Sequence, residues 1–328
     1  MIQIDRMRAW LPRKPNSPAT NVQANLLSAA EIAGLQAQVD ALSANGGQMP
    51  EVHYRHAGDF RSVYLGTGMD FEESRLYARG DDLRSMDWRT TARIGKPYLK
   101  VYREEHHPET HVVVDRGVTM RFGTVKRLKV TQAAWVAAIV AFVVMRDGGC
   151  VGGTLAQADR LFLPCASGEP GANRLVEAAA MAAPPLIPGA VNPGAGGDDL
   201  WQTLEQVSTR LQRGARVVVV SDFHGLDRLR GGALMRIAAS HQLIPIQILD
   251  RAESSLPAVG HACFEDPQTG RRQWLDTGSE SVRQAFSARA AAARVAADDL
   301  FSAMGLRLTR IHADEDPFLP VLRALGHG

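Results

Sequence analysis

Acidic residues stand at the ends of several apolar runs, where they could hold a hard cation. HVVVD closes on Asp115, VVVVSD closes on Ser221-Asp222, and a proline- and glycine-rich linker delivers Asp198-Asp199 just ahead of a helical segment. Each β-branched run reads as a strand buried on both faces, so the acids fall at strand ends, where open α/β sheets bind ligands. Together with the hydroxyl of Thr119, such carboxylates form the oxygen set that Mg2+ or another divalent cation takes. An aspartate after a strand also caps a following helix or bonds loop amides, and that reading stands beside the metal one. Other chemistries have less to build on. There is no G-x-x-x-x-G-K-[ST] phosphate loop. Ser221 lies in VVSDFHG rather than in a G-x-S-x-G elbow, and His224 follows it closely instead of coming from a distant loop. His106-His107 beside Glu104-Glu105 lacks the H-E-x-x-H spacing of a zinc site.

The elements that must position these residues alternate. The strand ending at Asp115 is followed by a long apolar helix from about Lys126 to Arg146, which stops at Gly148-Gly149. CVGGTLAQADRLFLP reads as two short strands about the Ala158-Asp159 turn, and GANRLVEAAAM as a helix. After the linker come a helix from about Asp199 to Arg213, the strand RVVVVSD, a helix from Leu226 to Ser240 and the strand LIPIQIL, in which Pro245 suggests an edge or a strand start. An irregular stretch leads to an alanine-rich helix over 279–304, the strand LRLTRI, and a last helix begun by Asp316-Pro317. This alternation predicts an α/β fold with a mostly parallel sheet and helices on both faces. On the N-terminal side, residues 1–26 read as a proline-rich tail and 27–50 as a capped amphipathic helix with a linker. That helix carries Ile32, Leu35, Val39 and Leu42 behind a Ser28/Glu31 capping box. Residues 51–108 read as a small turn-rich β region, and 109–328 as the α/β domain.

Composition sets outer bounds. The 328 residues carry 37 basic and 35 acidic side chains, 45% hydrophobic residues and a net charge of +2, which gives no global footprint for nucleic acid or an anionic membrane. Three widely spaced cysteines without a C-x-x-C pair argue against a disulfide framework and fit a reducing, cytoplasmic setting. The most apolar stretch, Ala133 to Met145, is shorter than a membrane span requires and reads as a buried helix.

The densest polar constellation is YARGDDLRSMDWRTTARIGKPYLKVYREE. Its arginines, aspartates and tryptophan could form an Arg–carboxylate network that pins a loop against an aromatic platform; alternatively, Arg84, Arg89 and Arg93 could receive an acidic partner. The segment resembles the signature of bacterial domain-of-unknown-function family fifty-eight, roughly R-x-Y-x-x-G-D-D-x-R-x-I-D-W-x-x-(S/T)-A-R. Arg75, Tyr77, Gly80, Asp81, Asp82, Arg84, Asp87, Trp88, Ala92 and Arg93 match it, with Met86 where isoleucine is commoner. The likeness continues through VVVDRGVTMRFG, the lysine-led helix, VVVVSDF and LDRAESSLPAVGHACFEDPQTG, about residues 50 to 290.

The resemblance implies a Rossmann-like von Willebrand factor A-type domain with a metal-ion-dependent adhesion site built from D-x-S-x-S, a threonine loop and a later aspartate. Here Asp115 and Thr119 hold the first acid and last hydroxyl, Gly117 replaces the middle serine, Asp198 stands near the loop position, and Asp222 is the later aspartate. It also implies partners: a MoxR-type AAA+ ATPase and other von Willebrand A-type proteins. The expectation is therefore a non-enzymatic interaction module with a degenerate Mg2+ site, and the alternative a metal-dependent hydrolase using the same acids.

Overall fold

A reciprocal cap opens the first described helix: the Glu31 carboxylate accepts from the Ser28 amide at 2.8 Å, and the Ser28 hydroxyl accepts from the Glu31 amide at 3.3 Å. Helix α1 (Ala29–Ala44) follows and buries Leu35 and Val39, the face its periodicity marks. The computed structural model describes residues 25–44, 70–78, 86–103, 109–187 and 199–327. The chain divides into two units, one of Met1–Pro50 with Pro108–Gly328 and one of Glu51–His107.

The smaller unit holds β1 (Asp70–Leu76), α2 (Trp88–Ile94) and β2 (Tyr98–Arg103), with β1 and β2 antiparallel. The helix is a departure from the turn-rich β reading. Asp87 caps it, accepting from the Thr90 amide at 3.1 Å, and Gly95 closes it in the left-handed conformation. Of the aspartates in the expected arginine network, Asp87 serves as this cap, while Asp81, Asp82 and Arg84 lie outside the described residues. Trp88 is 68% exposed and α2 buries none of its residues, so among the described residues Trp88 is no buried platform.

In the larger unit the chain runs β3 (Thr110–Asp115), α3 (Lys129–Arg146), β4 (Cys150–Ala156), β5 (Leu161–Ser167), α4 (Gly168–Ala180), α5 (Asp199–Arg210), β6 (Arg216–Ser221), α6 (Arg228–Ala238) and β7 (Gln242–Leu249). It continues through β8 (His261–Glu265), β9 (Arg272–Asp276), α7 (Glu280–Ala303), β10 (Thr309–His312) and α8 (Phe318–Ala324). The main sheet has the order β10-β7-β6-β3-β4-β5. Its pairs are parallel except β4 with β5, which the tight turn folds back on each other. This is the mostly parallel α/β sheet predicted from the alternation.

Strand periodicity divides the core in two. Val112, Val114, Val218, Val220 and Ile246 point to one face, where α1, α3, α4 and α8 cover them. Val113, Val217 and Val219 point to the other, beneath α5, α6 and Phe301 of α7. α3 is the one described helix long and apolar enough to cross a membrane, and it is the most enclosed helix of the domain: residues 136–143 are all buried.

Two local expectations change. β7 is an interior strand that begins at Gln242, so Pro245 is not a strand start, and the edge it suggests is local rather than that of the whole strand. The proline is tolerated because β10 pairs only with Ile246–Leu249, leaving the sheet at Pro245 with a neighbour on one side alone. The irregular stretch before α7 contains the β8–β9 hairpin, whose turn is set by Asp266 accepting from the Gln268 amide at 2.9 Å and the Thr269 hydroxyl at 2.7 Å.

Candidate functional site

In sheet order the two strands on either side of the reversal are β3, which ends at Asp115, and β6, which Asp222 follows directly. Their carboxyl ends form the switch-point crevice in which open α/β sheets place their ligands. Asp115 and Asp222 do meet there. Asp115 Oδ2 accepts from the Ser221 hydroxyl at 2.6 Å, and its Oδ1 accepts from the Gly117 amide at 2.8 Å. Ser221 Oγ in turn accepts from the Phe223 amide at 2.9 Å, and Asp222 Oδ1 from the His224 amide at 2.9 Å. Thr119 is buried in the short helical turn Val118–Arg121 that follows β3.

At the centre is a residue that sequence reasoning did not single out. Lys129, in the first turn of α3, is fully buried and donates to Asp222 Oδ2 at 2.7 Å and to Glu253 Oε1 at 2.6 Å. Glu253 lies in the turn after β7, and its other oxygen accepts from the Asp250 amide at 2.9 Å. Asp250 accepts from the Thr124 amide at 2.8 Å, fastening the loop before α3 to the end of β7. One turn further along α3, Gln132 donates to the carbonyls of His312 at 3.1 Å and Glu315 at 2.9 Å, beyond β10. The start of α3 therefore ties together the ends of β6, β7 and β10. A signal for Lys129 was present: a cation in the first turn opposes the helix dipole, so its placement there calls for acidic partners.

The electrostatics follow from burial and pairing. Burial alone would lower the Lys129 ammonium pKa, but the Asp222 and Glu253 charges hold it well above the ordinary lysine range. Burial would raise Asp222, yet the Lys129 charge and hydrogen bond keep it below the usual carboxylate value. Asp115 has no such partner. Burial, then the charge of Asp222, push its pKa up to about 7, against the hydrogen bonds from Ser221 and Gly117.

Backbone strain marks the same turn. Phe223 has φ of +52°, a left-handed conformation uncommon for a bulky residue. Its ring is anchored in the core, edge-on to Phe301 at 5.2 Å, and the turn leaves His224 and Gly225 exposed to solvent. In a nucleophile elbow the strained residue is the serine itself; here Ser221 ends its strand fully buried with its hydroxyl doubly engaged.

Every carboxylate oxygen of Asp115, Asp222 and Glu253 accepts one hydrogen bond from the chain, and the cation between Asp222 and Glu253 is an ammonium, which a divalent ion at that place would have to displace. Asp198 lies outside the described residues, as do Gly80, Asp81, Asp82 and Arg84 of the signature motif, while Arg75 is described in its backbone alone. Tyr77, Asp87, Trp88 and Arg93 belong to the smaller unit with β1, α2 and β2.

Fold and site together define an open-sheet α/β domain with a buried ionic cluster at its switch point. The chain belongs to the family described as Protein of unknown function DUF58, which matches residues 73–296. Among its relatives is the uncharacterized protein Rv1480 of Mycobacterium tuberculosis, 29% identical over 270 residues that cover 81% of each chain. The uncharacterized protein MAV169 of Mycobacterium avium is 26% identical over 125 residues, covering 38% of this chain and 73% of its own. Similar solved structures include the conserved hypothetical protein BatB of Bacteroides thetaiotaomicron, with 15% identity and a TM-score of 0.40, covering 66% of this chain and 96% of that one. An aerotolerance-related membrane protein of Bacteroides fragilis aligns with 13% identity and a TM-score of 0.39, covering 67% and 98%.

Proposed function

We propose that this chain is a non-enzymatic interaction module, an adaptor or co-chaperone of a MoxR-type AAA+ ATPase, which docks its partner at the strand-end face of a von Willebrand A-like domain. The observation that carries the reading is the internal pairing of the switch-point cluster. Its acids are spent on Lys129 and on loop amides, so the residues that would activate a water instead hold the β3, β6 and β7 ends in fixed relation. A face held this rigidly presents the His224-Gly225 tip at little ordering cost on binding. The rival metal-dependent hydrolase would need a free carboxylate or an accessible hydroxyl, and Ser221 is fully buried.

The test is capture from native cytosol by tagged protein, with nucleotide present or absent, read by mass spectrometry. An AAA+ ATPase retained by wild type and lost with His224→Ala, which truncates an exposed side chain and leaves the His224 amide to bond Asp222, is the expected result. Failure to retain an ATPase in any nucleotide state, or turnover of phosphoester or peptide substrates abolished by Asp115→Ala, overturns it.

A further inference from the structure

We propose that the Lys129 ammonium is the resident cation of the strand-end site, taking between Asp222 and Glu253 the charge-compensating place that a divalent metal would need there, so that these two strand ends are joined without a metal ion. Three observations point the same way. First, the ammonium lies between acids from two different strand ends, Asp222 after β6 at 2.7 Å and Glu253 after β7 at 2.6 Å, which is the bridging task a metal would perform. Second, Asp222 Oδ1, Glu253 Oε2 and both oxygens of Asp115 take hydrogen bonds from His224, Asp250, Gly117 and Ser221, which fix how these carboxylates are turned. A magnesium ion demands near-octahedral oxygens at about 2.0–2.1 Å, so between Asp222 and Glu253 it would have to expel the ammonium and turn the carboxylates against those bonds. Third, Lys129 is fully buried at a helix start, where desolvation and the helix dipole both oppose its charge. A lysine is stable in that place when the acids around it are the compensation.

The elevated Asp115 pKa fits the same picture. Burial and the Asp222 charge raise Asp115, and the ammonium, which pairs with Asp222 and Glu253, offsets only part of that rise. That the organised face also docks an ATPase rests on the adaptor reading above; the identity of the cation does not.

The experiment is therefore made on the isolated full chain, with Mn2+ as the probe, by titration calorimetry, by the paramagnetic signal of free Mn2+, and by melting in chelator against Mn2+. Wild type should take up no Mn2+ at the site and melt at the same temperature in both conditions. Lys129→Ala should bind one Mn2+ and melt higher with it than in chelator, and adding Asp222→Asn should abolish both effects. Saturable uptake by wild type that Asp115→Asn or Asp222→Asn removes would overturn the proposal. So would a folded Lys129→Ala protein indifferent to Mn2+. Should Lys129→Ala fold in neither condition, the wild-type titration decides alone. Loss of ATPase capture without any Mn2+ uptake by wild type would count against the adaptor reading and leave the cation assignment standing.

Discussion

His111 is fully buried on β3, its Nε2 2.8 Å from the Thr154 hydroxyl and its ring stacked on Phe162 at 5.2 Å. Burial pushes its pKa from 6.5 down to about 4. Because the folded value lies below the unfolded one, the unfolded chain takes the proton first as pH falls. The stability is therefore complete above the unfolded pKa and lost between that value and about 4. At about 1.4 kcal/mol per unit the loss approaches about 3 kcal/mol. Asp115, raised to about 7, contributes the opposite slope over the same window, so the His111 contribution is the difference between wild type and His111→Gln in urea unfolding from neutral to mildly acidic pH; identical pH dependence of the two would assign the titration elsewhere. In the smaller unit, Trp88→Ala should change stability by less than about 0.5 kcal/mol because the ring is exposed. Asp87→Ala, by contrast, should cost about 1 kcal/mol through the lost α2 cap. Hydrogen exchange of the α2 amides separates these cases, and partner capture by Trp88→Ala reports whether the exposed ring is a contact.

At the scale of elements, the turn after β6 and the approach of β3, β4 and α4 make sharper demands. Phe223→Ala and Phe223→Gly both remove a ring packed against Phe301, at a cost of about 3–5 kcal/mol. Alanine keeps the strain of a positive φ whereas glycine does not, so the glycine variant should be the more stable of the two by about 1 kcal/mol in chemical denaturation. The reverse order would mean that the turn relaxes once the ring is gone. On β4, a Cβ at Gly153 would meet Leu175 Cδ1 at 2.5 Å and the Val112 carbonyl oxygen at 2.8 Å. One contact is with the backbone of the neighbouring strand, which has little room to move. Gly153→Ala should lower stability by about 1–3 kcal/mol, with the midpoint of denaturant unfolding as the readout.

Across the larger unit, α1 is structural although it lies before the family-matched region. Leu27, Leu35 and Val39 join the core cluster of α3, and the Leu26 amide donates to the Ala180 carbonyl at 2.7 Å at the end of α4. Removing residues 1–46 would uncover that side of α3. At about 1.5–3 kcal/mol for each large apolar side chain re-exposed, the truncated chain should lose on the order of 5 kcal/mol. A lowered unfolding midpoint and dye binding to exposed apolar surface would register it, whereas an unchanged midpoint would show that α3 is sufficiently covered by α4 and α8.

Much of this architecture is written in local pattern. Continuous valine runs marked HVVVD and RVVVVS as strands, the Ser28/Glu31 pair marked the start of α1, and Gly148 and Gly305 marked where two helices stop, because each of these signals acts over a few residues of chain. The same local reading put Asp115 and Ser221-Asp222 at strand ends, and the 3-2-1-4-5-6-like strand order then brought them together at the reversal. It missed α2, whose seven residues, barely two turns, have no apolar periodicity, and the β8–β9 hairpin, whose strands are too short to alternate clearly. What no local signal contains is the partner of Lys129. Asp222 is 93 residues away and Glu253 is 124 away along the chain. Only packing α3 across the strand ends converts a lysine at an unfavourable helix start into the cation that three acids share an environment with, because charge compensation in a buried site depends on distance in space and not along the sequence.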